Sequence, residues 1–228
     1  MNNSSVNIQA IETVADALGE INSDAVYVGG AVIGIYVNDP GAGDVRPTKD
    51  IDIVLKIATE GELERLRQIL TVKGFTQAAD DDVVCRFRYK NILVDVMSTQ
   101  AVGWAPANPW FGAGFRLAKR VTVMQKEIRI LPLAYFLATK FSSYHERGGG
   151  DPRTSHDIED IVYILDNRRD TVEQITSSPE EVRDYLKEEF RMILRSDLFR
   201  EAVRSHLFYE TQKERFDIII EKLENIVR

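Results

Sequence analysis

Carboxylates and branched aliphatics alternate through Asp50-Ile51-Asp52-Ile53, and the run continues as Val54-Leu55. A β-strand sends successive side chains to opposite faces, so Asp50 and Asp52 share one face while Ile51 and Ile53 can anchor the other in a core. A chain with this segment is committed to a sheet that has one apolar face and one face holding two like charges side by side. Such charges repel and are tolerated only with cations between them. A third carboxylate, Asp95, lies in a second apolar run, Ile92-Leu93-Val94-Asp95-Val96-Met97. On an adjacent strand it would complete an all-oxygen donor set suited to Mg²⁺ or Mn²⁺.

Upstream, strand-like Ala25 to Val28 runs into Gly29-Gly30 and then a helix expected from about Ala31 to Val37. Glycines let the backbone approach a phosphate closely, and a helix N-terminus offers free N–H groups to an anion. A plain turn is the other reading of such a pair. An amphipathic first helix is expected from Ile8, Ile11, Ala15 and Leu18, and another from Leu63, Leu66, Ile69 and Leu70, ending at Gly74. The stretch from Asn38 to Asp44 reads as an irregular exposed loop. Strands are expected over Val83–Tyr89 and Ile92–Met97, joined as a hairpin at Lys90-Asn91. Further strands are expected over Val121–Met124 and Ile128–Leu131, with Lys126-Glu127 as the turn. Between the two strand pairs, Trp104 and Trp110 stand in a Gly- and Pro-rich stretch, either as its small private core or as a stacking surface. From Pro132 onward the pattern is helical, which places a boundary near residue 131 between a mixed α/β half (1–131) and a helical half (132–228).

Composition narrows the partners. With 228 residues, 44% of them hydrophobic, the chain can bury a substantial core. No apolar run approaches the roughly 20 residues needed to cross a bilayer, and Met1 to Leu18 mixes polar with apolar positions, so no membrane association and a cytoplasmic location are expected. The net charge of −7 argues against nonspecific duplex-DNA binding. One cysteine, Cys85, and three histidines without ligand-like spacing make a zinc site improbable.

The combination of Val28-Gly29-Gly30-Ala31, Arg46-Pro47-Thr48-Lys49-Asp50-Ile51-Asp52 and Asp95 resembles the nucleotidyltransferase superfamily of polymerase β-like, aminoglycoside-modifying and tRNA CCA-adding enzymes. A second segment, Ala138-Thr139-Lys140-Phe141 with Arg147 and Ser155-His156-Asp157-Ile158-Glu159-Asp160-Ile161, resembles the C-terminal signature of AbiEii-type nucleotidyltransferases, the toxin half of type IV toxin–antitoxin systems. The resemblance spans residues 26 to 165. It departs from the superfamily pattern at Gly30, where many members have serine, and at Ile33-Gly34, where CCA-adding enzymes carry an Arg-Asp pair. The resemblance implies an α+β fold: a nucleotidyltransferase-like mixed sheet with flanking helices, followed by a helical C-terminal half.

It also implies metal-dependent transfer of a nucleoside monophosphate from a nucleoside triphosphate to an acceptor hydroxyl, with pyrophosphate released. Asp50, Asp52 and Asp95 would be both metal ligands and catalytic residues. Gly29 and Gly30 would bind nucleotide, and so would Lys140 and Arg147, which lie on one helical face with Tyr144. Asp157 and Asp160 either support the nucleotide site or serve the helix, Asp157 through a Thr154-x-x-Asp157 capping box. A tRNA acceptor and a cognate antitoxin are the partners this resemblance suggests. A small-molecule acceptor such as an aminoglycoside, or a nucleotide-binding module without turnover, are the alternatives. A later stripe of Arg183, Lys187, Arg191 and Arg195 can either track an RNA backbone or pair with the interleaved Asp184 and Glu188.

Overall fold

The computed structural model describes residues 3–77 and 85–228. Val83 and Val84, expected to open a strand, lie outside the described residues. The chain divides into two units, Met1–Gly34 with Asp44–Pro132, and Ile35–Gly43 with Leu133–Arg228.

The first unit is built, among the described residues, on a six-stranded mixed sheet. Its strands are β1 (Val26–Val28), β2 (Asp50–Leu55), β3 (Arg86–Tyr89), β4 (Ile92–Ser98), β5 (Lys119–Val123) and β6 (Lys126–Ile130), in the order β3-β4-β2-β1-β6-β5. β1 runs antiparallel to β2 and parallel to β6, while β2 and β4 are parallel. The β3/β4 and β5/β6 pairs are antiparallel. Register turns the sequence alternation into transverse rows. Ile51 pairs with Val94 and Val94 with Phe87; Ile53 pairs with Val96 and Tyr27, and Tyr27 with Ile130. All of these side chains are buried, so this face of the sheet is core. The other face carries the carboxylates.

Among the described residues, three α-helices complete the unit: α1 (Asn3–Leu18), α2 (Glu60–Val72) and α3 (Phe111–Arg116). Ile11, Val14, Ala15 and Leu18 form the buried stripe of α1. Its orphan N-terminal donors are met by Asp44, which accepts from the N–H groups of Asn3 (2.6 Å) and Ser4 (2.9 Å). In α2 the buried face is Leu63 and Leu70, and Ile69, expected in the core, is 46% exposed. Thr59 caps that helix by accepting from Glu62 N–H.

Two local expectations are corrected. The helix after the glycine pair is a 3₁₀ segment, Gly30–Tyr36, not an α-helix; Gly30 and Gly34 with β-branched Val32, Ile33 and Ile35 make a poor α-helical sequence. The β5/β6 turn falls at Met124-Gln125, two residues before Lys126-Glu127, with Met124 at a positive φ of 51°. The Gly- and Pro-rich stretch ends in α3. Trp104 packs on Phe87 of β3 with ring centroids 5.6 Å apart, so it joins this stretch to the sheet's core rather than forming a private core of its own.

The second unit contains α4 (Leu133–Glu146), α5 (His156–Asn167), α6 (Thr171–Thr176), α7 (Glu180–Arg195), α8 (Asp197–Ser205) and α9 (Gln212–Val227). α4 is buried almost all round, with Phe136, Leu137, Ala138 and Phe141 fully enclosed, as expected of a helix surrounded by others. Phe141 meets Phe190 of α7 edge-on at 5.7 Å.

The stretch read as an exposed loop is tied into this unit. Tyr36 packs on Phe136 at 4.4 Å and its carbonyl accepts from Arg168 (2.7 Å); Asn167 O accepts from the N–H groups of Asn38 and Asp39; the Tyr163 hydroxyl donates to Gly43 O. No helix among the described residues is long and apolar enough to cross a membrane.

Candidate active site

The carboxylate face follows from strand register. Asp52 on β2 stands beside Asp95 on β4 and, on its other side, beside Val28 on β1; Asp95 in turn stands beside Arg86 on β3. The row therefore reads Arg86, Asp95, Asp52, Val28 across four strands. Two residues along, and so on the same face, Arg88, Leu93 and Asp50 form the neighbouring row. The sequence-predicted triad is thus brought together on one face of one sheet.

Gly29 follows directly on Val28, with φ at +70°. A Cβ at this position would lie 1.8 Å from Asp52 Oδ2 and 2.7 Å from its Cγ, so only glycine leaves room for that carboxylate, and only glycine adopts the left-handed backbone without strain. A Cβ on Gly30 would meet the ends of two side chains instead, Arg46 Nη2 and Thr48 Cγ2, each at 2.7 Å. The glycine pair has different duties: Gly29 makes space for Asp52, and Gly30 makes space for Arg46. The segment that follows the pair, Gly30–Tyr36, is 3₁₀ rather than α-helical.

Arg86 is the residue that the sequence reading overlooked. Its guanidinium forks onto Asp95, Nε to Oδ1 and Nη2 to Oδ2, both at 2.7 Å, and Nη2 also reaches Asp50 Oδ2 at 3.2 Å. Bidentate pairing with a carboxylate is among the strongest side-chain interactions and fixes orientation as well as charge. The signal was present: a two-residue hairpin turn at Lys90-Asn91 pairs Tyr89 with Ile92, and counting back three residues on each strand pairs Arg86 with Asp95. Cys85, next to Arg86, is buried, and burial first, then the charge of Asp95, pushes its thiol up to about 11. It is an inert packing group.

For a divalent cation, the donor chemistry fits: carboxylate oxygens only, in adjacent register rows, with the space beneath Asp52 kept clear by Gly29. The side chains are not closed into a cage, and among the described residues no group of three acidic, histidine or cysteine side chains is arranged around a metal position. Arg86 supplies the positive charge there.

The second unit gathers the other predicted residues into a separate cluster. Lys140 Nζ lies 2.7 Å from Asp160 Oδ2 and 3.4 Å from Asp157 Oδ1, and Arg147 also pairs with Asp157. Lys140, Asp157 and Asp160 are 7%, 4% and 1% exposed. Asp157 does not complete a capping box with Thr154. The N-cap of α5 is Ser155, which accepts from Ile158 N–H, while Thr154 donates its hydroxyl to Asp151 O. Arg147, whose side chain is 71% exposed, has guanidinium donors beyond the one on Asp157, whereas the buried Lys140 ammonium already faces two carboxylates.

Of the basic stripe on α7, Arg191 pairs with Glu188 and donates to Val227 O (3.0 Å), and Arg183 stands 3.7 Å from Asp184. The three histidines are engaged singly: His145 with Glu189, His156 with Glu159, and His206 with the carbonyl of Pro152.

No family model and no curated protein sequence matches this chain. Solved structures do. An antigenic nucleotidyltransferase-like protein from Paracoccidioides brasiliensis is 17% identical with a TM-score of 0.53, over 90% of this chain and 94% of that one. The antibiotic-resistance factor ANT(2'')-Ia is 16% identical with a TM-score of 0.49, over 84% and 96% respectively. The first match shows that this chain has a nucleotidyltransferase-like α+β fold.

Proposed function

We propose that the chain is a metal-dependent nucleotidyltransferase, and that an RNA 3′ end, tRNA first, is its acceptor. The AbiEii-like resemblance suggests the tRNA target and a cognate antitoxin. The observation that carries the reading is the row Arg86, Asp95, Asp52, Val28 with Gly29 cleared beneath Asp52. A sheet gains nothing in stability from three carboxylates on one face, and the site spends an arginine and an obligatory glycine to keep them there.

In the reaction, the acceptor oxygen forms a bond to the α-phosphorus, the α–β phosphoanhydride bond breaks, and pyrophosphate leaves. Mg²⁺ or Mn²⁺ held by Asp50, Asp52 and Asp95 would neutralise charge growing on the phosphoryl oxygens. The acceptor hydroxyl's proton passes to an Asp95 carboxylate oxygen, which Arg86 must first release. Arg86 is the counter-ion of the resting site. Asp52, with Val28 and Gly29 beside it, keeps its place through strand register.

The test is incubation of the purified protein with each labelled nucleoside triphosphate, Mg²⁺ and total tRNA. Asp52→Asn should reduce labelling by about 10²–10³-fold, the scale for losing a group that stabilises transition-state charge, and its melt in EDTA should be unchanged or raised. Labelling by Asp52→Asn at the wild-type rate would remove the triad from the chemistry. A second reading, a nucleotide-binding module without turnover, is favoured by Arg86, because its ion pairs engage Asp50 and Asp95. Nucleotide binding without transfer to any acceptor would select it.

A further inference from the structure

Beside the carboxylate row, the first unit holds a cavity of about 600 Å³, within the range of about 300–1,000 Å³ usual for small-molecule sites. Its lining includes the whole row Arg88, Leu93, Asp50, which shares its face with the row of Asp52 and Asp95. Another wall is the first half of α1. Anything seated there reaches the triad by way of Asp50.

The lining defines what fits. Gln9, Thr13, Thr48 and Asn91 are neutral groups that both donate and accept, the match for sugar hydroxyls. Asn7, 3% exposed, accepts from the Thr48 hydroxyl, and its Nδ2 donor has no partner among the described residues. Val6 and Ala10 add an aliphatic strip suited to the face of a sugar or base. Two exposed cations, Lys49 and Arg88, stand at the cavity, and the one carboxylate that lines it among the described residues, Asp50, is paired with Arg86. In a chain of net charge −7 this is a locally cationic recess. A phosphate is attracted to it, and a polycationic amino sugar is not.

We infer that this cavity is the acceptor pocket and that it takes a ribose-phosphate end, with free vicinal hydroxyls beside a phosphodiester or phosphate. The assignment rests on the nucleotidyl-transfer reading of the triad for its purpose, but not for its test. The end of an RNA and a free nucleotide share this chemistry.

Binding is measured by calorimetry in EDTA, without any nucleoside triphosphate, so that neither metal nor turnover enters. The probes are the trinucleotide CpCpA, CMP and kanamycin. Ala10→Trp fills the cavity from α1 and Arg88→Glu reverses the charge on β3; each is checked by its melt. Both variants should weaken CpCpA at least tenfold, and Arg88→Glu should also flatten the salt dependence of binding. If Ala10→Trp fails to fold, Thr13→Trp and Arg88→Glu carry the test.

CpCpA much tighter than CMP assigns the pocket to an RNA end; equal affinities assign it to a free nucleotide. Unchanged CpCpA binding by folded variants overturns the pocket and leaves Asp52-dependent transfer standing. Kanamycin binding more tightly than CpCpA, and lost in Ala10→Trp, overturns the ligand chemistry. Pocket binding with no transfer under any condition leaves the pocket and removes the transfer reading.

Discussion

Two clusters in this molecule pair aspartates with cations, and they differ in what surrounds them. On the sheet, Arg86 is held by Asp95 and Asp50; the side chains of Arg86 and Asp95 are 18% and 12% exposed, and only Asp50, 36% exposed, opens into a cavity. Between α4 and α5, Lys140, Asp157 and Asp160 are sealed from water, with Arg147 closing on Asp157 from outside. An ion pair with one partner at water, as Asp50 is, can exchange its cation at lower cost than a sealed one, because water and mobile ions stand ready. In a sealed pair, either partner left alone is a desolvated charge. The first arrangement suits chemistry and the second suits holding two helices together.

The comparison breaks most readily at Lys140. Lys140→Ala should cost roughly 3–5 kcal/mol of stability, the scale for stranding a buried charge. Urea denaturation measures it, and a cost below about 1 kcal/mol would mean that the cluster is not the sealed structural pair described above. Triphosphate affinity of the same variant, measured where it remains folded, asks whether the lysine also reaches nucleotide, as the family resemblance suggests.

Arg86→Gln sharpens the contrast. In EDTA it should lower stability by roughly 1–3 kcal/mol, because Asp95 and Asp50 lose their cation, and added Mn²⁺ should restore more stability than it adds to the wild type. An identical Mn²⁺ gain in both proteins would show that guanidinium and metal do not share the carboxylates.

A finer contrast lies in two left-handed glycines, Gly29 at φ +70° and Gly148 at φ +91°. Either, changed to alanine, should lose about 1–2 kcal/mol from backbone strain. Only Gly29→Ala drives a methyl into Asp52, whereas a Cβ at Gly148 meets nothing within 4 Å. Transfer should therefore collapse in the first and persist in the second; equal activity would detach Gly29 from the site.

Much of the sheet was legible because alternation is a local property. Asp50, Asp52 and Asp95 fell on strands with their aliphatic neighbours inward, as period-two patterning requires. Arg86 was equally available through hairpin arithmetic, but finding it takes the register of two strands and not the alternation within one. α3 was hidden by Gly112 and Gly114, which lower helix propensity, so its existence depends on packing. Lys140 was visible as a candidate; its burial was not, because the partners Asp157 and Asp160 sit on another helix. The docking of Tyr36 and Asn38 against residues more than a hundred positions away left no local trace at all.

That docking has a consequence for how the protein is made. The segment Ile35–Gly43 interrupts the first unit between β1 and β2, but its partners Tyr163, Asn167 and Arg168 leave the ribosome at least 120 residues after it. A nascent chain released at Pro132 would contain every strand of the sheet and still carry an undocked Tyr36. We predict that such a chain, when pulse-labelled and probed with protease, is cut within 35–43, and that the full-length product is protected there. Cleavage at equal rates in both would mean that the segment finds its shelter without the helices, and the growing sheet would then need no help from the second half of the chain.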